Sequence, residues 1–232
     1  MDDAIPYSRS QISKAGKALC RQNVSREKYD TAIDALNFWR SIHDEPTAHI
    51  ESRLRRHIAK LKLKDTSLVR RLKRTPSIIA KLKRSNIGLE RMYDVGGCRA
   101  VLHTKNEIGL LVKELENDSS IKISVIKNYI KRPQFTGYWG LHIVCECDSA
   151  KSSRPLLVEI QVREKIQHAW ATAVEVAGTF LSVSLKSNEG PELWLQFFRR
   201  ASVEFRRMER SLIFSALSLN RAFCKTSEPR VI

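Results

Sequence analysis

Two acidic residues lie where the sequence predicts neighbouring strands. Asp94 comes shortly before the predicted strand Cys98–His103, and Glu159 lies inside the alternating stretch LLVEIQVR. Because side chains alternate along a strand, Glu159, Gln161 and Arg163 are expected to share one polar face. A Mg²⁺ ion bound to nucleotide phosphates typically takes one or two protein carboxylates. The two acids therefore fit a metal–nucleotide site; the alternative is that each forms a structural ion pair with an arginine.

A basic stretch, Arg70–Arg84, surrounds a predicted helix start. Its sequence is RRLKRTPSIIAKLKR, in which Arg71, Lys73 and Lys81 flank the segment Thr75-Pro76-Ser77. Free backbone N–H groups at a helix N-terminus bind phosphate, and nearby cations strengthen such a site. Several converging cations would suit a triphosphate. The alternative is a basic helix face that is simply solvated.

The stretch FTGYWGLH places two aromatic side chains in the turn before a predicted strand. Alternation points Tyr138 and Trp139 to opposite sides, so they cannot both enter one core. One is expected to pack, while the other offers a flat ring to a partner such as a nucleobase. His142 begins the strand that follows.

The elements needed to position these residues can be read from periodicity and from turn signals. Helices are predicted over Arg26–Ile42, from near Pro46 to Leu63, from a cap at Asp65, Thr66 or Ser67 to Leu72, and over Ser77–Arg84, Asn106–Leu115, Gln167–Leu185 and Glu192–Leu217. Strands are predicted over Cys98–His103, Ile121–Ile130, Leu141–Cys147 and Leu156–Val162. The pattern predicts an α+β fold with a central mixed β-sheet of about five strands flanked by helices.

Composition favours an anionic partner. The 232 residues carry a formal net charge of +16, which a balanced surface would not leave. No apolar run approaches the roughly 20 residues that span a bilayer, and MDDAIPYSRS lacks the apolar segment of a secretory signal. The five cysteines follow no CxxC spacing, so we expect a cytoplasmic protein. The absence of a long apolar run predicts no membrane association.

Taken in order, these stretches resemble the RelA/SpoT nucleotidyltransferase family, in particular its small single-domain alarmone synthetases and their toxin relatives. RLKRTPSIIAKLKR is similar to the family's basic ATP-binding stretch, and YDVGGCRAVL to its Asp-x-x-Gly-x-Arg strand. NYIKRPQFTGYWGLH resembles its tyrosine-bearing acceptor loop, and VEIQVREKIQHAWATAVE its Glu-x-Gln-x-Arg strand and following helix. The resemblance covers about residues 53–214. It implies an N-terminal helical region over residues 1–50, a synthetase domain over 51–218 and a C-terminal tail over 219–232.

The resemblance implies a pyrophosphokinase that moves the β,γ-pyrophosphate of ATP to the 3′-hydroxyl of GDP or GTP, making the alarmone (p)ppGpp. Asp94 would be the Mg²⁺ ligand, and Glu159 would hold the metal or take the proton from the attacking hydroxyl. The implied substrate-binding residues are Arg71, Lys73, Ser77, Lys81 and Arg99 for ATP, and Tyr138, His142, Gln161 and Arg163 for the acceptor. Tyr138 would stack on the acceptor base.

Two departures from the family pattern leave the acceptor open. Family members often carry a lysine before the loop glycine and an arginine after the tyrosine, where this sequence has Gln134 and Trp139. Toxin relatives pyrophosphorylate the 3′-CCA end of tRNA, and two basic stretches would suit an RNA backbone. They are the run Arg53, Arg55, Arg56, Lys60, Lys62 and Lys64, and the segment Arg199–Arg207.

A second alternative is an inactive RNA- or nucleotide-binding module, although such a module need not have kept Asp94 and Glu159. The resemblance also allows a homo-oligomer or an antitoxin partner.

Overall fold

A five-stranded mixed sheet organises the protein. The computed structural model describes residues 6–225, with side chains to residue 209, so residues 226–232 of the predicted tail lie outside the described part. The helices are α1 (Arg9–Cys20), α2 (Arg26–Ser41), α3 (Asp44–Lys60), α4 (Thr75–Arg84), α5 (Lys105–Glu116), α6 (Lys165–Phe180) and α7 (Glu192–Lys225). The strands are β1 (Ser67–Leu72), β2 (Gly96–Leu102), β3 (Lys122–Asn128), β4 (Leu141–Cys147) and β5 (Leu156–Glu164).

The sheet has the strand order β1-β2-β5-β4-β3. Strands β2 and β5 are parallel, and the other neighbouring pairs are antiparallel. This arrangement confirms the predicted α+β fold with a mixed sheet of five strands. It also confirms that the strand after Asp94 and the strand that carries Glu159 are neighbours, with Gly97 opposite Glu159.

The prediction of a short helix ending at Leu72 is wrong, because Ser67–Leu72 forms the edge strand β1. Its exposure alternates residue by residue, as in a strand with one side against the protein. Asp65, proposed as a helix cap, instead has a positive φ of 52° in the turn before the strand. The change matters for the site, since alternation sends Arg70 and Arg71 to opposite faces of the sheet.

Helix α1 was missed by the sequence reasoning, although its start carries a recognisable signal. Ser8 and Gln11 form a reciprocal capping box, in which each side chain accepts a hydrogen bond from the other residue's backbone N–H. Buried residues of α1 and α2, among them Ile12 and Leu36, form one core with Ile78 and Leu82 of α4. The N-terminal helices therefore support the basic helix α4.

The chain divides into two compact units. One contains the described residues through Ile130 and Gly140–Lys165, and so the whole sheet. The other contains Lys131–Trp139 and the described residues from Ile166 onward. The predicted domain boundaries at residues 50 and 218 stay a prediction, and residues 219–225 of the predicted tail continue helix α7. Among the described residues, no helix has both the length and the apolarity needed to cross a bilayer.

A buried ion-pair network fastens α3 to the turn before β3. Asp118 accepts two-pronged hydrogen bonds from Arg53 and a 2.7 Å bond from Nε2 of His57, and its side chain is only 4% exposed. Burial raises the pKa of Asp118, but the bonds from Arg53, Ser120 and His57 outweigh this effect and hold its pKa well below the ordinary value.

We expect Asp118→Asn to lower the free energy of unfolding by about 3 kcal/mol at neutral pH, because it leaves the largely buried Arg53, 20% exposed, without its counter-charge. A carboxylate with a lowered pKa stabilises the fold above its unfolded pKa of 3.8, and that contribution is lost as the pH falls further. Urea denaturation of the wild type and of Asp118→Asn between pH 7 and pH 2 should therefore show their free energies of unfolding converging in acid. Asp30→Asn, which breaks an exposed pair with Arg26, should change stability by less than about 1 kcal/mol. An equal effect of the two substitutions would contradict this view of Asp118.

Candidate functional site

Strand pairing brings a polar row together on one face of the sheet. Gln161 of β5 lies opposite Arg99 of β2 and opposite His142 of β4. His142 in turn lies opposite Lys127 of β3. Residues directly opposite each other in neighbouring strands project to the same face. Four polar side chains from four strands therefore lie side by side, and Glu159, two residues before Gln161, shares their face.

A pocket opens at the end of this row, where glycine takes the place of a side chain. Gly97 lies between Arg71 on β1 and Glu159 on β5, and a Cβ at this position would come within 2.7 Å of the Glu159 carbonyl oxygen. Only glycine fits this close approach. The pocket is lined by Val69, Arg71, Asp94, Gly97, Cys98, Arg99, Glu159 and Gln161. The two predicted carboxylates therefore line the same pocket as Arg71 and Arg99, the two arginines predicted to bind ATP.

A chain of hydrogen bonds fixes Glu159. Nδ1 of His142 lies 2.9 Å from Oε1 of Glu159, and Nε2 of Gln161 donates to Oε2 at 2.6 Å. Arg163 donates in turn to Oε1 of Gln161 at 2.9 Å. An ionised carboxylate can only accept, so the hydrogen between His142 and Glu159 is carried by Nδ1. The predicted polar face of Glu159, Gln161 and Arg163 is thus connected, and Glu159 and Arg163 are buried in it.

Glu159 is held in its charged form. Burial raises its pKa, but the hydrogen bond and charge of His142 and the bond from Gln161 outweigh this effect, and its pKa lies below the ordinary value. The nearby Asp94 carboxylate acts in the opposite direction. Glu159 is therefore an anion at neutral pH, and a comparatively weak base.

Asp94 is shared by two lysines. Nζ of Lys73 and Nζ of Lys81 lie 3.1 Å and 2.9 Å from the same oxygen, Oδ2 of Asp94. Burial raises the pKa of Asp94, but the two ammonium groups outweigh it and lower the pKa below its usual value. The pKa of Lys73 is also lowered, chiefly by burial and further by Lys81 and Arg71, while Asp94 opposes this shift. The site therefore concentrates positive charge around one carboxylate.

The backbone around Lys73 is held on two sides. Its N–H donates to the Val95 carbonyl at 2.7 Å, and its carbonyl accepts a 2.9 Å bond from Nε of Arg40 on α2. Lys81 projects from α4, whose buried residues Ile78 and Leu82 fix the helix against the core. Helix α2, helix α4 and the residue before β2 thus fix the two lysines that contact the Asp94 carboxylate.

Two neighbours of the site were missed by the sequence reasoning, Tyr93 and Lys127. Nζ of Lys127 lies 2.6 Å from the Tyr93 hydroxyl and 4.1 Å from the centre of its ring. Nζ of Lys81 lies 5.0 Å from the same ring centre. Lys127 stands in the predicted strand before the aromatic loop and Tyr93 directly precedes Asp94, so both were adjacent to stretches already singled out. Their pairing depends on the position of β3 at the edge of the sheet.

The aromatic loop belongs to the second unit. Trp139 is 1% exposed, packs against Trp170, and donates from Nε1 to Glu209 at 3.2 Å. Tyr138 is half-buried at the margin of the same cluster. The two rings therefore contact one cluster, Trp139 as a core residue and Tyr138 in part, so the expectation that they cannot share a core does not hold. Gly137 has a φ of 92°, which glycine adopts without strain. Its N–H donates to the Gln134 carbonyl at 2.9 Å and closes the turn before Tyr138.

Trp139 is therefore a core residue of this unit. It stands where the family pattern often has an arginine, and the structure supplies a packing reason for the departure.

The carboxylates also meet a basic requirement of a Mg²⁺–nucleotide site. Within residues 6–209, no group of three or more acidic, histidine or cysteine side chains is arranged to hold a metal by itself. However, Oδ1 of Asp94 is buried and accepts no hydrogen bond from any described residue. An orphaned carboxylate oxygen next to a second carboxylate suits an ion that takes its remaining ligands from phosphate and water. The residues present therefore fit Mg²⁺ bound together with a nucleotide.

The structure brings nearly all predicted site residues into one network. Asp94, Glu159, Arg71, Arg99 and Gln161 line the pocket, Lys73 and Lys81 contact Asp94, and His142 and Arg163 extend the bonds around Glu159. Ser77 lies exposed on the first turn of α4, four residues before Lys81, and is not part of this network. Tyr138 lies in the other unit.

The chain is similar to known proteins over its central part. Residues 70–178 match the model described as the region found in RelA/SpoT proteins. Two curated relatives from Bacillus subtilis are GTP pyrophosphokinase YwaC, 29% identical over 110 residues, and GTP pyrophosphokinase YjbM, 28% identical over 107 residues. Each alignment covers 44% of this chain, and the matched part spans 52% of YwaC and 51% of YjbM, about half the length of these relatives.

A solved structure shares the fold. The small alarmone synthetase 1 of Bacillus subtilis, bound to its product pppGpp, superposes with a TM-score of 0.65 at 20% identity. The superposition covers 76% of this chain and 93% of the synthetase. The likeness confirms the predicted fold of this chain, a five-stranded mixed sheet flanked by helices.

Proposed function

We propose that the protein is an ATP-dependent pyrophosphokinase of the RelA/SpoT family, whose shared region residues 70–178 match. It transfers the β,γ-pyrophosphate of ATP to the 3′-hydroxyl of GDP or GTP and so makes (p)ppGpp. The observation that carries the proposal is one pocket that contains two carboxylates, Asp94 and Glu159, with Lys73 and Lys81 paired to the first of them. This is an arrangement suited to holding a polyphosphate next to an attacking hydroxyl.

The reaction is an in-line substitution at phosphorus. The 3′-oxygen of the acceptor attacks the β-phosphorus of ATP, and the bond from that phosphorus to the α,β-bridging oxygen breaks. AMP leaves with the bridging oxygen, and the acceptor gains a 3′-pyrophosphate. Positioning and neutralisation of charge supply most of the rate in reactions of this kind.

The donor side binds ATP. Arg71 and Arg99 hold the adenine and sugar through their planar guanidinium groups, and Lys73, Ser77 and Lys81 bind the phosphates. In the absence of nucleotide, Asp94 neutralises the two lysines. Phosphate oxygens replace Asp94 as partners of these lysines when ATP binds, and Asp94 becomes available as a ligand.

Asp94 and Glu159 would hold a Mg²⁺ ion with the phosphates. Such an ion, when bound, neutralises charge that develops on the β- and γ-phosphates. The lowered pKa of Glu159 keeps its carboxylate ionised for this purpose. The carboxylate of Glu159, oriented by the hydrogen bond from Nδ1 of His142, takes the proton of the 3′-hydroxyl as the bond to phosphorus forms.

A free guanosine nucleotide is the acceptor that the described basic surface supports better than RNA. Three cations of the run proposed for an RNA backbone are engaged in ion pairs on the protein itself. Arg53 pairs with Asp118, Arg55 with Glu51 and Lys60 with Glu114. A paired cation offers less charge to a phosphate backbone.

The experiment that tests the proposal follows the label of γ-³²P-ATP in Mg²⁺ reactions with GDP, GTP, adenosine nucleotides or deacylated tRNA offered separately. Label in a guanosine product together with equimolar AMP is expected. Label on tRNA would replace the proposed acceptor with RNA. Absence of AMP release with every acceptor, from protein that binds ATP, would leave an inactive nucleotide-binding module.

Tyr138→Ala is expected to raise the KM for the guanosine acceptor about tenfold or more, because stacking on a base contributes on the order of 1–3 kcal/mol. The KM for ATP should stay within about twofold of wild type. Steady-state kinetics with each substrate varied in turn measures both values. Phe135→Ala is the matched control, since Phe135 lies in the same loop and is 75% exposed. Tyr138→Phe should keep the stacking, and an equal loss of ATP and acceptor use in Tyr138→Ala would remove Tyr138 from the acceptor role.

A further inference from the structure

Tyr93 contacts two lysines that come from different elements of the site. Its ring lies 5.0 Å from Nζ of Lys81, which contacts Asp94 on the donor side. The same ring lies 4.1 Å from Nζ of Lys127, and the Tyr93 hydroxyl accepts a 2.6 Å hydrogen bond from that ammonium group. Lys127 stands directly opposite His142, the residue that contacts Glu159.

These contacts link two groups of side chains in the site. One group is Lys73, Asp94 and Lys81, joined through a single carboxylate oxygen. The other is the polar row that ends with His142 and Lys127 on strands β4 and β3. Tyr93 contacts a member of each group, Lys81 in the first and Lys127 in the second, and it precedes Asp94 in the chain.

The two contacts differ in chemistry. The contact with Lys81 is a cation–π interaction, which needs only the aromatic ring. Lys127 has such a contact and also a hydrogen bond to the hydroxyl, which holds its ammonium group in one direction. Burial lowers the pKa of Lys127, but the Tyr93 hydroxyl and, more weakly, the Tyr129 and Glu159 charges outweigh this and leave its pKa above the ordinary value.

We propose that Tyr93 is a positioning residue that orients Lys127 toward the phosphates of the acceptor through its hydroxyl and retains Lys81 beside the donor phosphates through its ring. The inference rests on the proposed function, and it names the side chain that coordinates the two substrates. Lys127 is placed for this role because it lies directly opposite His142, which is proposed to bind the acceptor. When ATP draws Lys81 away from Asp94, the Tyr93 ring remains as its second partner.

Two substitutions separate the roles of the ring and the hydroxyl. Tyr93→Phe keeps both cation–π contacts and removes the hydrogen bond, so the KM for GDP or GTP should rise about tenfold, with the KM for ATP and kcat within about twofold of wild type. Tyr93→Leu removes the ring as well, so the KM for ATP should also rise, by about threefold. Tyr29→Phe, at a 40% exposed tyrosine on α2, should leave all three constants unchanged. A fall in kcat alone, or an equal rise in both KM values in Tyr93→Phe, would overturn the proposal.

A measurement that does not require turnover keeps this inference distinct from the proposed function. In ¹³C-lysine NMR titrations, the pKa of Lys127 should fall in Tyr93→Phe, because the hydroxyl that raises it is gone. An unchanged Lys127 pKa overturns the positioning role even if the wild-type protein makes (p)ppGpp. A lowered Lys127 pKa supports the contact even if the wild-type protein transfers no pyrophosphate, an outcome that refutes the proposed function alone.

Discussion

Glu159→Gln should abolish pyrophosphate transfer, lowering kcat by at least about a thousandfold while ATP still binds. Glutamine is close to glutamate in size and can still accept a bond from Gln161, but it carries no charge. The substitution therefore removes the anion that His142 and Gln161 hold in place, at 2.9 Å and 2.6 Å. Release of AMP measured with and without GDP reports the loss, and titration with a non-hydrolysable ATP analogue reports binding.

The stability of the Glu159→Gln protein distinguishes a chemical role from a structural one. The pKa of Glu159 is lowered in the fold, so its charge is favourable there relative to the unfolded chain, and a modest fall in Tm is expected. Glu146→Gln is the matched control, because Glu146 lies on the same sheet and pairs with the exposed Lys122. If Glu159→Gln keeps more than a tenth of wild-type kcat, Glu159 is not part of the reaction.

The parts of this site that could be predicted from sequence are those set by short-range geometry. Glu159, Gln161 and Arg163 share a face because alternate residues of any strand do, and the structure joins all three by hydrogen bonds. Asp94 was singled out by its position before a pair of glycines. One of these, Gly97, leaves room for the pocket opposite Glu159.

The parts that could not be predicted depend on contacts between distant segments. Ser67–Leu72 reads as a short capped helix by itself, and it becomes a strand because the edge of β2 supplies hydrogen-bond partners. The contact of Tyr93 with Lys127 joins residues 34 positions apart, and it requires β3 to pair with β4 in one register. Single-sequence periodicity contains no information about strand order or register.

Asp94→Asn should give two effects of opposite sign. Transfer of pyrophosphate should fall by at least about a thousandfold, because a neutral amide replaces the carboxylate whose buried oxygen Oδ1 faces no hydrogen-bond donor among the described residues. Binding of ATP without Mg²⁺ should be retained or strengthened, because Lys73 and Lys81 lose the carboxylate that neutralises them. Calorimetric titration of a non-hydrolysable ATP analogue, in EDTA and in Mg²⁺, measures both sides of this balance.

The comparison of these two titrations decides what Asp94 does. In the wild-type protein Mg²⁺ should tighten nucleotide binding, and in Asp94→Asn that gain should shrink or vanish. Asp34→Asn, at an exposed position on α2, should behave as wild type in both buffers. If Asp94→Asn instead weakens metal-free ATP binding, Asp94 acts mainly by orienting Lys73 and Lys81, since a carboxylate that only opposes the phosphates could not have this effect. The sign of one binding change therefore separates a ligand for the metal from a structural partner of the lysines.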